Sequence, residues 1–146
     1  MARIKIEVPD HFNFTTVIPV RITDLNYGGH VGNDSILSMI HEARVQFLRS
    51  KGYEELDMAG VGLIMSDVVI EFKNELFYGE SIVASVAAGE LSKIGFDLFY
   101  KLEKKADHGN ILLANAKTGM VCYDYRQKKI SALPEEAKNK LMDQSA

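Results

Sequence analysis

The sequence has few of the features that would point to a specialised class of protein. It contains a single cysteine, Cys122, so an internal disulfide and a multi-cysteine metal site are both excluded. Its net charge is −3 and no basic block stands out, which argues against non-specific binding to nucleic acid, because such binding depends on clustered Lys and Arg. No apolar run is long enough to span a membrane. We therefore expect neither a nucleic-acid partner nor membrane insertion.

Length and composition are those of an ordinary globular protein. The chain has 146 residues, of which 47% are hydrophobic and 25% are charged. We expect one domain over residues 1–146, which buries about 70% of the surface that its unfolded chain exposes. The N-terminal residues carry charges where a secretory signal would be apolar, which favours the cytoplasm. Cys122 is expected to be a small buried hydrophobe in a strand.

The most informative stretch covers residues 21–34, where a predicted strand leads through a polar, glycine-rich loop into a helix. A helix N-terminus presents unpaired backbone N–H groups and a partial positive charge, which polarise a carbonyl or hold an oxyanion. Asp, Asn and His side chains beside such a terminus indicate acyl chemistry. The alternative is a glycine-rich turn followed by an N-cap.

The helix is predicted over residues 34–50, with Asn33 or Asp34 as its N-cap and Gly52 beyond its end. Its apolar residues form one stripe, which consists of Ile36, Ile40, Ala43 and Phe47. Neighbouring apolar residues widen the stripe, so we expect this helix to pack against a sheet.

The rest of the sequence is rich in β-branched and alternating apolar residues. Strands are predicted over residues 14–23, 63–74, 80–88, 96–103 and 111–125. Pro19 predicts an edge or bulged position in the first strand, and residues 107–110 predict a hairpin turn between the last two. Residues 134–142 predict a short surface helix. This order of elements predicts an α+β domain, with an antiparallel sheet wrapped around one long central helix.

Three motifs resemble those of the hotdog-fold acyl-CoA thioesterases, in the 4-hydroxybenzoyl-CoA thioesterase-like family. They are Asp24-Leu-Asn26, Gly29-His30-Val31-Gly32-Asn33 and Glu42-Ala43-Arg44. The order of elements also resembles that family over nearly the whole chain. The resemblance implies a hotdog fold, hydrolysis of an acyl-CoA thioester without a cofactor, and homodimers or homotetramers with active sites at subunit interfaces.

One position departs from this family. In its best-studied branch, the second acidic residue of the opening motif is the general base or nucleophile, and this chain has Asn26 there. An amide cannot take a proton from water. The base therefore stays open among four residues, which are Asp24, His30, Asp34 and Glu42. The resemblance further implies that the backbone N–H of Asn33 holds the oxyanion. The amide of Asn26 would orient the thioester or a water by hydrogen bonding.

Several of these candidates have a structural alternative. His30 would be a loop residue that holds a backbone carbonyl, and Asp34 would be a plain N-cap. Glu42 would form an ion pair with an arginine such as Arg49.

The residues expected to contact the substrate are Tyr27, Gly29, Met65, Lys93 and Phe96. Apolar side chains among them would line an acyl pocket, although each also fits an ordinary core. Lys93 would meet the phosphates of CoA. No paired-histidine metal motif is present, so no metal site is expected.

Two other functions compete with thioester hydrolysis. Asn26 would suit a catalytically weak protein that binds or senses acyl-CoA. A hotdog dehydratase or hydratase is a further reading, and the Glu42-Ala43-Arg44 motif speaks against it. Release of free thiol would separate the hydrolase from the hydratase.

Overall fold

The structure is a computed structural model, and it describes residues 3–143. An antiparallel sheet packs against one long helix, as predicted, and the sheet has six strands where five were predicted. The long helix, α1, spans Asn33–Ser50, and a short helix, α2, spans Glu135–Leu141. Within the described range, no helix is both long and apolar enough to cross a membrane.

The strands are β1 (Phe14–Pro19), β2 (Gly62–Phe72), β3 (Ser81–Gly89), β4 (Gly95–Ala106), β5 (Gly109–Asp124) and β6 (Lys129–Ile130). Their order in the sheet is β1-β3-β4-β5-β2, and β6 pairs with the end of β5. Strands β1 and β2 therefore form the two outer edges. The sequence did not predict β6, which has only two residues.

Two predictions about the ends of strands are confirmed. Pro19 is the last residue of the outer strand β1, and β4 and β5 form a hairpin around residues 107–108. Strand β1 ends at Pro19 rather than at residue 23, because the chain next forms a 3-10 turn over Ile22–Asp24. Gly109 follows the hairpin turn with φ of 112°, a conformation that favours glycine.

The predicted apolar stripe of α1 faces the core. Its four residues are each at most 6% exposed and pack with apolar side chains of the sheet. Cys122 lies in β5 and is fully buried, as predicted. This burial raises the pKa of its thiol to about 11.

A chain of polar side chains crosses the core. Arg44 Nη1 on α1 donates to Tyr100 Oη over 3.4 Å, and that hydroxyl lies 2.8 Å from Thr118 Oγ1. In the other direction, Arg44 Nε donates to Glu55 Oε1 over 2.8 Å. A buried guanidinium needs such partners, because an unpaired charge in the core is strongly destabilising. The polar chain thus ties α1 to the middle of the sheet and to the segment before β2.

Candidate active site

The loop before α1 is held by its backbone. Val31 N donates to Leu76 O over 2.8 Å, and Gly32 N donates to Asp24 O over 3.1 Å. Asn26 N also donates to His30 O over 2.9 Å, which closes the loop on itself. The main chain therefore fixes where α1 starts, largely independently of the side chains of the loop.

Helix α1 begins at Asn33 with Gly32 as its N-cap, so the prediction of Asn33 or Asp34 as the cap is wrong. The bond from Gly32 N to Asp24 O places Gly32 in an extended conformation, with φ of −74° and ψ of 157°, directly before the helix. The bond from Ile36 N to Gly32 O is the first of the helix. The three backbone N–H groups of residues 33–35 therefore have no partner within the helix. Unpaired donors of this kind can bind an oxyanion.

Asn26 is oriented by a bond to its own loop. Its Oδ1 accepts from Gly28 N over 2.8 Å, which forms an Asx-turn. This bond uses one of the two lone pairs of Oδ1, and the Nδ2 amino group has no partner among residues 3–143, so it can donate to a ligand. Asn26 is therefore a hydrogen-bond donor in this site and cannot remove a proton.

His30 Nδ1 lies 3.2 Å from Val31 O, so the alternative prediction, that His30 holds a backbone carbonyl, is confirmed. With the proton on Nδ1 for that bond, Nε2 keeps its lone pair. A Cβ built on Gly28 would lie 3.4 Å from His30 Nε2 and 3.2 Å from Asn26 Oδ1. The structure therefore brings Asn26 and His30 to the same side of the loop.

Asp24 is buried and fully engaged. Its Oδ2 accepts from Arg21 N over 2.7 Å, and its Oδ1 accepts from Arg21 Nη2 over 3.1 Å. Burial alone would raise the pKa of this carboxyl, but the hydrogen bonds and charge of Arg21, together with the Ser35 hydroxyl, outweigh it and lower the pKa. This arrangement makes Asp24 an anchor of the loop.

Two of the clefts beside α1 are lined by candidate residues of the site. The larger, of about 430 Å³, lies between β1 and α1 and is lined by Asp24, His41 and Glu42 among others. The smaller, of about 220 Å³, is lined by His30, Asn33 and residues that follow the end of β2. We place the candidate site at the smaller cleft in spite of its size, because the free N–H groups of the helix begin at its wall.

Glu42 lies apart from this cleft. It is exposed and accepts a bond from Gln46 Nε2 over 2.9 Å, and no ion pair with Arg49 occurs among residues 3–143. Its neighbour His41 points Nε2 toward Glu55 Oε1 at 3.3 Å, a pairing that sequence reasoning missed. Glu55 lies beyond the end of α1, so helical spacing gave no signal for it.

The candidate substrate-contacting residues fall into two groups. Tyr27 and Gly29 belong to the loop, where Tyr27 is fully exposed. Met65 on β2 and Phe96 on β4 both lie opposite Met120 of β5, so they are close together at one end of the sheet. Phe72 and the loop lie toward the opposite end. Phe96 is only 2% exposed. Within one chain, the second group, to which Lys93 also belongs, does not meet the loop.

In the described part of the chain, no group of three or more His, Cys, Asp or Glu side chains is arranged so that it could bind a metal ion.

Comparison with known proteins shows a family. The profile of the thioesterase-like superfamily matches residues 20–141, which include the loop, α1 and every strand except β1. A 1,4-dihydroxy-2-naphthoyl-CoA hydrolase from Microcystis aeruginosa is 30% identical over 123 residues, which cover 82% of this chain and 86% of that protein.

Solved structures agree with this match. A thioesterase superfamily protein from Jannaschia sp. CCS1 superposes with a TM-score of 0.80 at 17% identity, covering 91% of this chain and 83% of that one. A 1,4-dihydroxy-2-naphthoyl-CoA thioesterase from Synechocystis gives 0.77 at 23% identity, covering 88% and 94%. These likenesses confirm the predicted hotdog fold, and the family match confirms the predicted thioesterase class. Since the match includes both the loop and α1, the chain belongs to the thioesterase-like superfamily.

Proposed function

We propose that this protein hydrolyses an acyl-CoA thioester to the free acid and CoA at the N-terminus of α1. The observation that carries the proposal is the set of free N–H groups at residues 33–35 beside the cleft lined by His30. Membership of the superfamily supports a thioester as the substrate. The name of the Microcystis relative supports CoA as the carrier of the acyl group.

The thioester oxygen would lie against the N–H of Asn33. As water adds to the carbonyl carbon, this oxygen gains negative charge, which the N–H groups and the helix dipole stabilise. Losing one such donor raises a barrier by roughly 3–4 kcal/mol. Asn26 Nδ2 would donate to the thioester or to the attacking water, and a base beside the loop would take the proton of that water.

We propose that two copies pair their β2 strands antiparallel, which would form an active site shared between subunits, in a homodimer or a tetramer built from such dimers. Strand β2 is an outer strand, and Ile64, Met65 and Phe72 on it are exposed. Pairing two such edges about a two-fold axis would bring the Met65 end of one strand toward the Phe72 end of the other. Met65, Phe96 and Lys93 would then approach the loop of the neighbouring subunit.

The test is thiol release from a panel of short, long and aromatic acyl-CoA thioesters. We expect turnover by the unmodified protein and a large loss in Asn26→Ala, since the amide donor is removed. Asn139→Ala, at an exposed position on α2, is the matched control and should keep full turnover. Absence of hydrolysis across the whole panel would refute the proposal.

A catalytically weak acyl-CoA-binding protein is the second candidate. The observation that favours it is the amide at position 26, which has no basic atom and whose Oδ1 accepts a hydrogen bond from Gly28 N within its own loop. This candidate requires tight binding of a non-hydrolysable acyl-CoA without turnover, and activity that appears only in Asn26→Asp.

A further inference from the structure

We propose that Asp34 is the general base of this site, and that Gly32 is the positioning residue that lets its carboxylate reach the attacking water. The inference deepens the proposed thioester hydrolysis and rests on it. It fills the role that Asn26 cannot perform.

Asp34 lies in the first turn of α1, where a carboxylate is favoured by the positive end of the helix dipole, but no specific contact in the described part of the chain engages its carboxylate. The helix is capped at Gly32, so Asp34 is not the N-cap. Its backbone oxygen accepts from Ser38 Oγ over 3.4 Å, but its carboxylate makes no hydrogen bond or ion pair with any of residues 3–143. An exposed, unpaired carboxylate at the start of α1 is free to accept a proton from a water held there.

The absence of a side chain at position 32 sets where this carboxylate lies. A Cβ built on Gly32 would stand 2.6 Å from Asp34 Oδ1 and 3.5 Å from Asn26 Cβ. The carboxylate therefore folds back over Gly32, toward Asn26. Any larger residue at position 32 would displace it, whereas the φ of −74° at Gly32 is one that every residue adopts.

Each of the other candidate bases has a feature against it, although His30 lines the smaller cleft directly. Asp24 is occupied by Arg21, and Glu42 lines the larger cleft on the β1 side of α1. His30 uses Nδ1 to hold Val31 O and packs edge-on against Phe77, with ring centroids 6.5 Å apart. Among the four, Asp34 combines a free carboxylate with a position beside both Asn26 and the free N–H groups.

The chemical step balances without any further reactant. The Asp34 carboxylate takes one proton from water as the oxygen of that water bonds to the thioester carbon. The carbonyl electron pair moves to the oxyanion held by the helix N–H groups. When it returns, the C–S bond breaks, and the proton passes from Asp34 to the CoA sulfur. The products are the acid and the CoA thiol, and Asp34 is again ionised.

A double-mutant cycle tests the inference by thiol release, with kcat and KM measured separately. Asp34→Asn should lower kcat by roughly 100-fold or more, as loss of a general base does. Gly32→Ala should also lower kcat with little change in KM, because the new methyl group moves the carboxylate, which is the mobile end of a side chain. In the Asp34→Asn background, Gly32→Ala should have almost no further effect. Asp57→Asn, an exposed loop position outside both clefts, is the matched control.

Melting temperatures of all variants separate loss of function from loss of fold. If the unmodified protein hydrolyses thioesters and Asp34→Asn keeps its kcat, the inference is wrong while the proposed function stands. If Gly32→Ala lowers kcat equally in the unmodified protein and in Asp34→Asn, Gly32 does not position the Asp34 carboxylate. The variant His30→Asn keeps a donor for Val31 O and removes Nε2. If His30→Asn is inactive while Asp34→Asn remains active, the base is His30. If the unmodified protein releases no thiol at all, the proposed function itself fails.

Discussion

Arg44 Nε donates a hydrogen bond to Glu55 Oε1 over 2.8 Å, although the arginine side chain is only 6% exposed. Glu55 lies in the irregular segment between α1 and β2, so this bond fastens that segment to the helix. We expect Glu55→Ala to lower the free energy of unfolding by about 2–3 kcal/mol, because a buried cation loses its acceptor. Urea denaturation measures this. The adjacent, exposed Glu54→Ala should change it by less than about 0.5 kcal/mol, and equal effects would contradict the prediction.

Asp24 should make stability depend on acid pH. Its pKa is lowered in the folded protein, so the ionised carboxylate stabilises the fold at pH values above its unfolded pKa. That contribution is lost as the pH falls below about 4 and then through the folded pKa. Asp24→Asn should therefore be less stable than the unmodified protein at neutral pH, with a difference that shrinks in acid. Denaturation midpoints at several pH values measure it. The exposed turn variant Asp107→Asn should show no such convergence.

The outer edge of β2 should determine the oligomeric state. Met65→Lys places a charge on that edge, and a charge there opposes pairing with a second strand. We expect sedimentation equilibrium to show a shift to monomer, and thiol release to fall with it. Met142→Lys is the matched control, since Met142 is similarly exposed at 40% but follows α2. A protein that is monomeric and fully active without any substitution would exclude a shared site.

Cys122 should be inert. It is fully buried, and its pKa is raised to about 11, so almost none of it is thiolate at neutral pH. We expect iodoacetamide to leave the folded protein unmodified and to alkylate it after unfolding in guanidinium chloride. Cys122→Ala should keep kcat and lower stability by about 1 kcal/mol. Rapid alkylation of the native protein, or loss of kcat in this variant, would show a reactive thiol.

Elements with a strong local pattern could be predicted from the sequence. The apolar stripe identified α1, and the predicted start at residue 34 is one residue from the observed start at Asn33. Pro19 indicated the edge strand because proline lacks the N–H that an inner strand requires. Such patterns depend on a few neighbouring residues, so tertiary contacts did not overturn them.

Features that depend on distant residues were missed. Gly32 caps α1 because its N–H reaches Asp24 O, a contact that capping preferences do not encode. Tyr100 and Thr118 meet only through the register of β4 on β5. Apolar character alone also could not separate Phe96, which is core, from Met65, which lies on an open edge.

The free N–H groups at the start of α1 belong to the main chain, and two main-chain bonds, Val31 to Leu76 and Gly32 to Asp24, hold them in place. Replacing the side chains of Asn26, His30 or Asp34 should therefore leave these donors where they are, whereas the Asp24 side chain anchors the loop that holds them. Substitutions in this loop would then change the proposed proton acceptor or the proposed substrate contacts, while the N–H groups stay in place. An amide at position 26 therefore alters the side-chain chemistry of the loop without moving these donors.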